Sequence, residues 1–318
     1  MRSLCLNLLL VMLVASVQAQ QPTAARDTAR ALELYQSGEV EQAINRLTEI
    51  TKRRPDDPEA WEALASVLER QGRFGYARPA LERLVVLRPN AGDVHARLAY
   101  VLILGDQRER AIAEGERALT LGDHRAEAHY AIAEGHFRSG DYAKSLVAAD
   151  IALSINADFT PALITKSMAH SNMQQYQDAA ASLERVVAIA PNDFDTDTWR
   201  GQIQELKLRA SQAQLQPSQA DPLILSGKEV TQKARVITKP EPSYTDEARL
   251  AGITGTVVLK AIFSAEGEVK HILIVRALGY GLTTKSVQAA RLIKFIPATK
   301  DDRPVSMFIQ MEYNFNLY

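Results

Sequence analysis

A single cysteine, Cys5, occurs in 318 residues, so the chain has neither a partner for a disulfide nor the thiols for a cysteine-rich zinc site. Surplus charge is equally scarce. The 37 basic and 38 acidic side chains leave a net charge of −1, without the basic footprint that nucleic acid demands. Beyond Val17 no apolar run approaches the ~20 positions of a membrane span, so the rest of the chain reads as soluble. A hydrophobic content of 46% excludes whole-chain disorder and collagen-like structure. The length leaves room for about two domains.

The first distinctive feature is the beginning. Arg2 precedes an apolar stretch from Leu4 to Val17, broken only by Asn7, which ends in Val17-Gln18-Ala19. A basic start, a short apolar segment and a small-residue exit match a secretory signal peptide over residues 1–19, cleaved before Gln20. An uncleaved anchor is the competing reading, for which the run is short. Cys5 lies inside this segment, so the processed chain is expected to carry no cysteine.

From about Ala24 to Asp193 the sequence repeats in steps of 34. One row of small residues runs Ala43, Ala77, Ala111, Ser145, Ala179; another runs Ala31, Ala65, Ala99, Ala133, Ser167. Gly38, Gly72 and Gly140 share a third phase, in which Asp106 and Gln174 take the remaining places. Pro55, Pro89 and Pro191 close three units, and apolar residues between these marks follow helical spacing. Each unit therefore reads as two helices joined by a tight turn, small residues allowing close approach and proline ending the second helix. Such a unit buries its apolar face only by stacking on its neighbours.

Trp61-x2-Leu64-Ala65-x2-Leu68, Gly72-Arg73-Phe74, Ala77, Leu81 and Pro89 together resemble the tetratricopeptide repeat, although Arg108 and Gln174 depart from its usual residues. The resemblance implies an all-α solenoid of five repeats over residues 24–193. A capping helix over 194–211, with Trp199, Ile203 and Leu206 at helical spacing, is expected to follow. It also implies a scaffold for a protein partner, with a concave groove at Leu32, Tyr35, Tyr100, Ile103, Tyr130, Phe137, Ile164 and Met168. Large residues at those positions serve equally for packing.

Composition shifts after Ala210 to a glutamine- and proline-bearing stretch, a linker over 212–226. Beyond Pro240 and Pro242 the period becomes 2. Thr256 to Phe263 and Val269 to Val275 form a hairpin around Ser264-Ala-Glu-Gly267. A helix follows from Gly281 to Lys294, then a long strand from Val305 to Phe315. This is a small α+β domain, an antiparallel sheet with helices on one face.

Pro242, Tyr244, Ala248, Gly252, Gly255, Val257, Gly267, Val269, Gly279, Ala289, Phe295, Pro297-Ala298 and Pro304-Val305 resemble, in order and spacing, the C-terminal domain of TonB-type energy transducers, over residues 227–318. Thr245 and Asp302-Arg303 depart from that pattern. The resemblance implies a periplasmic docking module that takes an extended peptide from a TonB-dependent outer-membrane transporter by strand addition. It places the contact at Glu241, Pro242, Tyr244 and along Met307, Phe308, Ile309, Gln310, Met311, Glu312 and Tyr313. Alternation alone leaves this strand either an edge or an interior one. Were the N-terminus retained as an anchor, an inner-membrane motor complex would be a further partner. Residues from Ser226 onward carry a charge of +4, the remainder −5, which suits an acidic peptide as well as a solvated surface.

Six histidines occur, His95 and His129 one repeat apart and His136 and His170 likewise. They lack compact ligand spacing and read as packing positions, so no metal is expected. Gly279-Tyr-Gly281 precedes a helix without a phosphate-loop lysine, and no nucleophile elbow exists. Neither a cofactor nor an enzymatic activity is expected. The sequence thus implies a periplasmic adaptor in TonB-dependent transport. An envelope-assembly scaffold binding envelope or cell-wall components is the alternative.

Overall fold

The computed structural model describes residues 25–213 and 224–317; the expected signal segment and most of the linker lie outside the described residues. Five antiparallel helix pairs stack in series. They are α1 (25–36) with α2 (Val40–Arg53), α3 (Pro58–Arg70) with α4 (Phe74–Leu87), and α5 (Gly92–Leu104) with α6 (Arg108–Thr120). Then come α7 (Ala126–Arg138) with α8 (Tyr142–Ile155) and α9 (Thr160–Asn172) with α10 (Tyr176–Ile189), capped by α11 (Thr196–Ala213). Every member of both small-residue rows is fully buried, which is what lets the paired helices meet. The intervening turn needs a left-handed residue in each unit. Gly38 (φ 88°), Gly72 (φ 67°) and Gly140 (φ 82°) supply it without cost, while Asp106 (φ 54°) and Gln174 (φ 62°) adopt the same conformation with a side chain.

The C-terminal unit is a curled sheet of short and long strands. Its elements are β1 (Ile224–Leu225), β2 (Arg235–Thr238), α12 (Asp246–Ala251), β3 (Gly255–Phe263), β4 (Val269–Arg276), α13 (Leu282–Arg291), β5 (Lys294–Ile296), β6 (Ala298–Lys300) and β7 (Arg303–Phe315). The main sheet has the order β1-β7-β3-β4, with β6 folded back onto the start of β7, and β2 pairs β5 separately. The expected hairpin and terminal strand are therefore present, with β3 between them. Val257, Leu259, Ala261 and Phe263 form one buried face of β3, and Phe263 stacks on Phe295 at 4.0 Å. Val258 and Ile262 on the opposite face are buried too, so β3 is covered on both sides.

The two units pack into one another. Gly75 on α4 meets Gly252, the left-handed C-cap of α12, so closely that a Cβ built on Gly75 would lie 2.9 Å from the Gly252 Cα. Nearby, the Thr254 N–H donates to the Leu104 carbonyl at 3.1 Å. At the other end Asp195 accepts from the Gly281 N–H at 3.0 Å and from Thr284 Oγ1 at 2.6 Å, capping α13 from outside its own unit. Among the described residues no helix is long and apolar enough to cross a membrane.

Candidate docking site

A sheet offers main-chain hydrogen bonds only at its edges, so the state of each edge decides what can be added. The β4 edge is closed by the solenoid at its Ile274–Val275 end. Gln202 on α11 accepts from the Ile274 N–H through Oε1 at 3.0 Å and donates through Nε2 toward the Ile274 carbonyl at 3.5 Å. Its side-chain amide thus does for Ile274 what a neighbouring strand would do. Asn172 on α9 donates to the Val275 carbonyl at 3.0 Å, completing the closure.

The other edge is β7. Its first residues are occupied: β6 pairs residues 303–305, and β1 lies parallel to Ser306 and Met307. From Ile309 to Phe315 the strand pairs only with β3. In an antiparallel ladder the N–H and C=O of one residue point the same way, and successive residues point oppositely. The Glu312 carbonyl is reached from outside by Lys239 Nζ at 2.7 Å. The main-chain groups of Phe308, Gln310, Glu312 and Asn314 therefore face away from β3; the Phe308 N–H is taken by β1, and Gln310, Glu312 and Asn314 form the row that can receive an extended segment. The side chains of Gln310, Glu312 and Asn314 are exposed, whereas Met307, Met311, Tyr313 and Phe315 are buried in the core.

The predicted contact residues fall into three places. Ile309 to Tyr313 lie on the open part of β7; Met307 and Phe308 lie where β1 engages it. Glu241 and Pro242 belong to the strap that follows β2, beside Tyr313, whose hydroxyl is pushed up to about 12 by burial and by the Glu241 charge. That hydroxyl is buried without a hydrogen-bond partner. Tyr244 is turned inward: it packs edge-on against Phe315 at 5.5 Å and donates to the Ile253 carbonyl.

Lys239 is the residue that sequence reading missed. Besides its bond to Glu312 it sits 4.4 Å from the centre of the Tyr313 ring, laid along the open edge. A lysine beside two prolines carries no signal of this role.

The solenoid positions are likewise divided. Ile103, Phe137 and Met168 are buried among the helices. Tyr100, Tyr130 and Ile164 line a cavity whose other wall is the chain's own C-terminal unit, including Ile253, Leu278 and Tyr280. The groove of the later repeats is thus occupied from within. Leu32 and Tyr35 line a separate cleft in the first two repeats, which that unit does not reach. The histidines are engaged individually: His95 is buried between Glu114 Oε2 (2.5 Å) and the Pro89 carbonyl (3.0 Å), and His170 meets Gln175 at 2.7 Å. Among the described residues no three histidine, cysteine or carboxylate side chains gather as a metal centre.

Comparison with known proteins agrees with this division. The family described as Gram-negative bacterial TonB protein C-terminal matches residues 240–317. Two families described as tetratricopeptide repeat match residues 28–93 and 160–193. Among solved structures, PilW, a widely conserved type IV pilus biogenesis factor, is 16% identical with a TM-score of 0.50, covering 61% of this chain and 92% of that one. The MamA protein is 20% identical with a TM-score of 0.45, over 53% of this chain and 92% of that one. YrrB, a TPR protein with an unusual peptide-binding site, is 16% identical with a TM-score of 0.45, over 62% and 96% of the two chains. The PilW likeness is one of fold. No curated protein matches the chain.

Proposed function

The chain is a tetratricopeptide-repeat protein with a C-terminal TonB-type domain, and we propose that it is a non-enzymatic periplasmic adaptor in TonB-dependent outer-membrane transport. It docks an extended peptide of a transporter by adding it as a strand along β7. The observation that carries this reading is the run of outward main-chain groups at Gln310, Glu312 and Asn314, on the side of the sheet away from the solenoid-bound Ile274 and Val275. An arriving strand is received along Gln310 to Asn314. Main-chain hydrogen bonds then supply affinity with loose sequence demands, and the exposed Gln310 and Glu312 side chains flank the arriving strand. The signal-like first 19 residues support the periplasmic placement.

The repeat array contributes in two ways. Its later units hold the docking sheet, and its first two units, with Leu32 and Tyr35, offer the cleft for a second protein partner. The test is a titration of the full chain with N-terminal peptides of the host's outer-membrane transporters, following backbone amide resonances. The expected result is saturable shifts concentrated at Gln310, Glu312 and Asn314. Silence of those amides across the peptide set would end the strand-addition reading.

A further inference from the structure

Between the later repeats and the C-terminal unit lies a cavity of about 430 Å³, within the range of small-molecule sites. It belongs to neither the β7 edge nor the N-terminal cleft. Five aromatic rings contribute to its wall: Tyr100, Tyr130, Phe194, Trp199 and Tyr280. So do four carboxylates, Glu134, Asp193, Asp195 and Glu247, against the single guanidinium of Arg138.

The charges do not cancel. Arg138 is consumed by Glu134, at 2.8 Å, and by Asp106 at 2.7 Å, and Thr165 donates to the other Glu134 oxygen at 2.6 Å. Asp195 is a different case. It is 5% exposed, and its carboxylate accepts only neutral donors at the start of α13, the Gly281 N–H and Thr284 through its Oγ1 and its main chain. Among the described residues no cationic side chain forms an ion pair with it. Burial and the neighbouring Asp193 both push its carboxyl upward. A buried carboxylate of this kind is ordinarily accompanied by a counter-charge. Aromatic faces beside it attract that same charge, since their quadrupoles favour cations, most of all weakly hydrated organic ones.

We infer that this cavity binds a small organic cation bearing an alkylammonium or quaternary ammonium head, held between the Tyr100, Trp199 and Tyr280 rings and the Asp195 carboxylate. A neutral ligand of equal shape would fill the space but leave Asp195 with only the N-terminus of α13 as its partner, and an anion would meet a wall of carboxylates. The inference is independent of strand docking on β7.

The protein carries its own reporter, because Trp199 lines the cavity and the only other tryptophan is Trp61. The experiment uses the full chain with Trp61→Phe, titrated with choline, with n-butylammonium, and with 3,3-dimethyl-1-butanol as the uncharged isostere of choline. Trp199 emission is followed, and calorimetry measures affinity. The expected result is saturable binding of at least one cation, about tenfold or more tighter than the isostere, the scale of a desolvated cation–π contact. Asp195→Asn and Tyr280→Asn each should weaken it about fivefold or more. Asparagine suits position 280 because Tyr280 has φ 60°. If Asp195→Asn loses its cooperative melt, the Tyr280→Asn comparison decides. No saturable cation binding by the folded chain, or equal binding of the isostere, would overturn the proposal.

Discussion

Two adjacent residues of β7 should respond to proline in opposite ways. The N–H of Gln310 faces outward with that of Glu312, whereas the N–H of Met311 faces β3, where Met311 stands opposite Leu259. Proline is tolerated where a strand N–H faces solvent and disruptive where it belongs to a ladder. Gln310→Pro should therefore cost the fold no more than about 1 kcal/mol. It deletes one hydrogen bond to an arriving strand and leaves that strand's carbonyl without a partner. That omission costs about 1–3 kcal/mol, or roughly 5- to 150-fold in peptide affinity. Met311→Pro removes a ladder bond and a buried side chain that is 7% exposed, for a loss of about 3 kcal/mol or more. Urea unfolding of the full chain followed by circular dichroism reads the first quantity; calorimetric titration with a transporter peptide reads the second. A Gln310→Pro chain that melts as wild type and binds as wild type would refute the placement of docking on this strand. Equal destabilisation by the two substitutions would refute the assignment of which groups face outward.

Lys239 occupies the carbonyl that an arriving strand needs, so Lys239→Ala should tighten binding of a peptide lacking acidic residues by about two- to fivefold, as measured by calorimetry. Weaker binding would show that the lysine assists docking. In the small-residue rows, Ser145 buries a hydroxyl without a partner while Ser167 donates to the Ala179 carbonyl at 2.8 Å. Ser145→Ala should stabilise the chain by about 1 kcal/mol and Ser167→Ala destabilise it by a similar amount, read as opposite shifts of the thermal midpoint. Shifts of the same sign would contradict this hydrogen-bond assignment.

The repeats were legible because their geometry is written in a period. Even where the glycine phase is broken, at Asp106 and Gln174, the backbone keeps the left-handed turn, since five stacked pairs leave that position no other conformation. The long alternating strands were legible for the same reason, two residues being the period of the pleat. The expected Gly281–Lys294 helix ends earlier, at Arg291, because Lys294 begins β5. Short elements left no trace: β2 has four residues and finds its partner β5 nearly sixty positions later. The packing of one unit on the other was equally silent. It depends on a glycine meeting a glycine, on Asp195 capping a distant helix, and on Gln202 imitating a strand, none of which is periodic. Tyr100 and Tyr130 therefore read as partner-facing when their neighbour is another part of the same chain.

The Gln202 contact has a consequence for how the sheet can grow. Cut free of the repeats, the C-terminal unit would present β4 as well as β7 unpaired, and two such fragments could join border to border and continue. With the solenoid in place, the amide side chains of Gln202 and Asn172 occupy the Ile274–Val275 end of that side. Strand addition on that side is obstructed at Ile274 and Val275, while β7 stays open to a guest. The helices thus act as a stopper fused to the sheet, and the intact protein should remain monodisperse where its excised C-terminal unit polymerises.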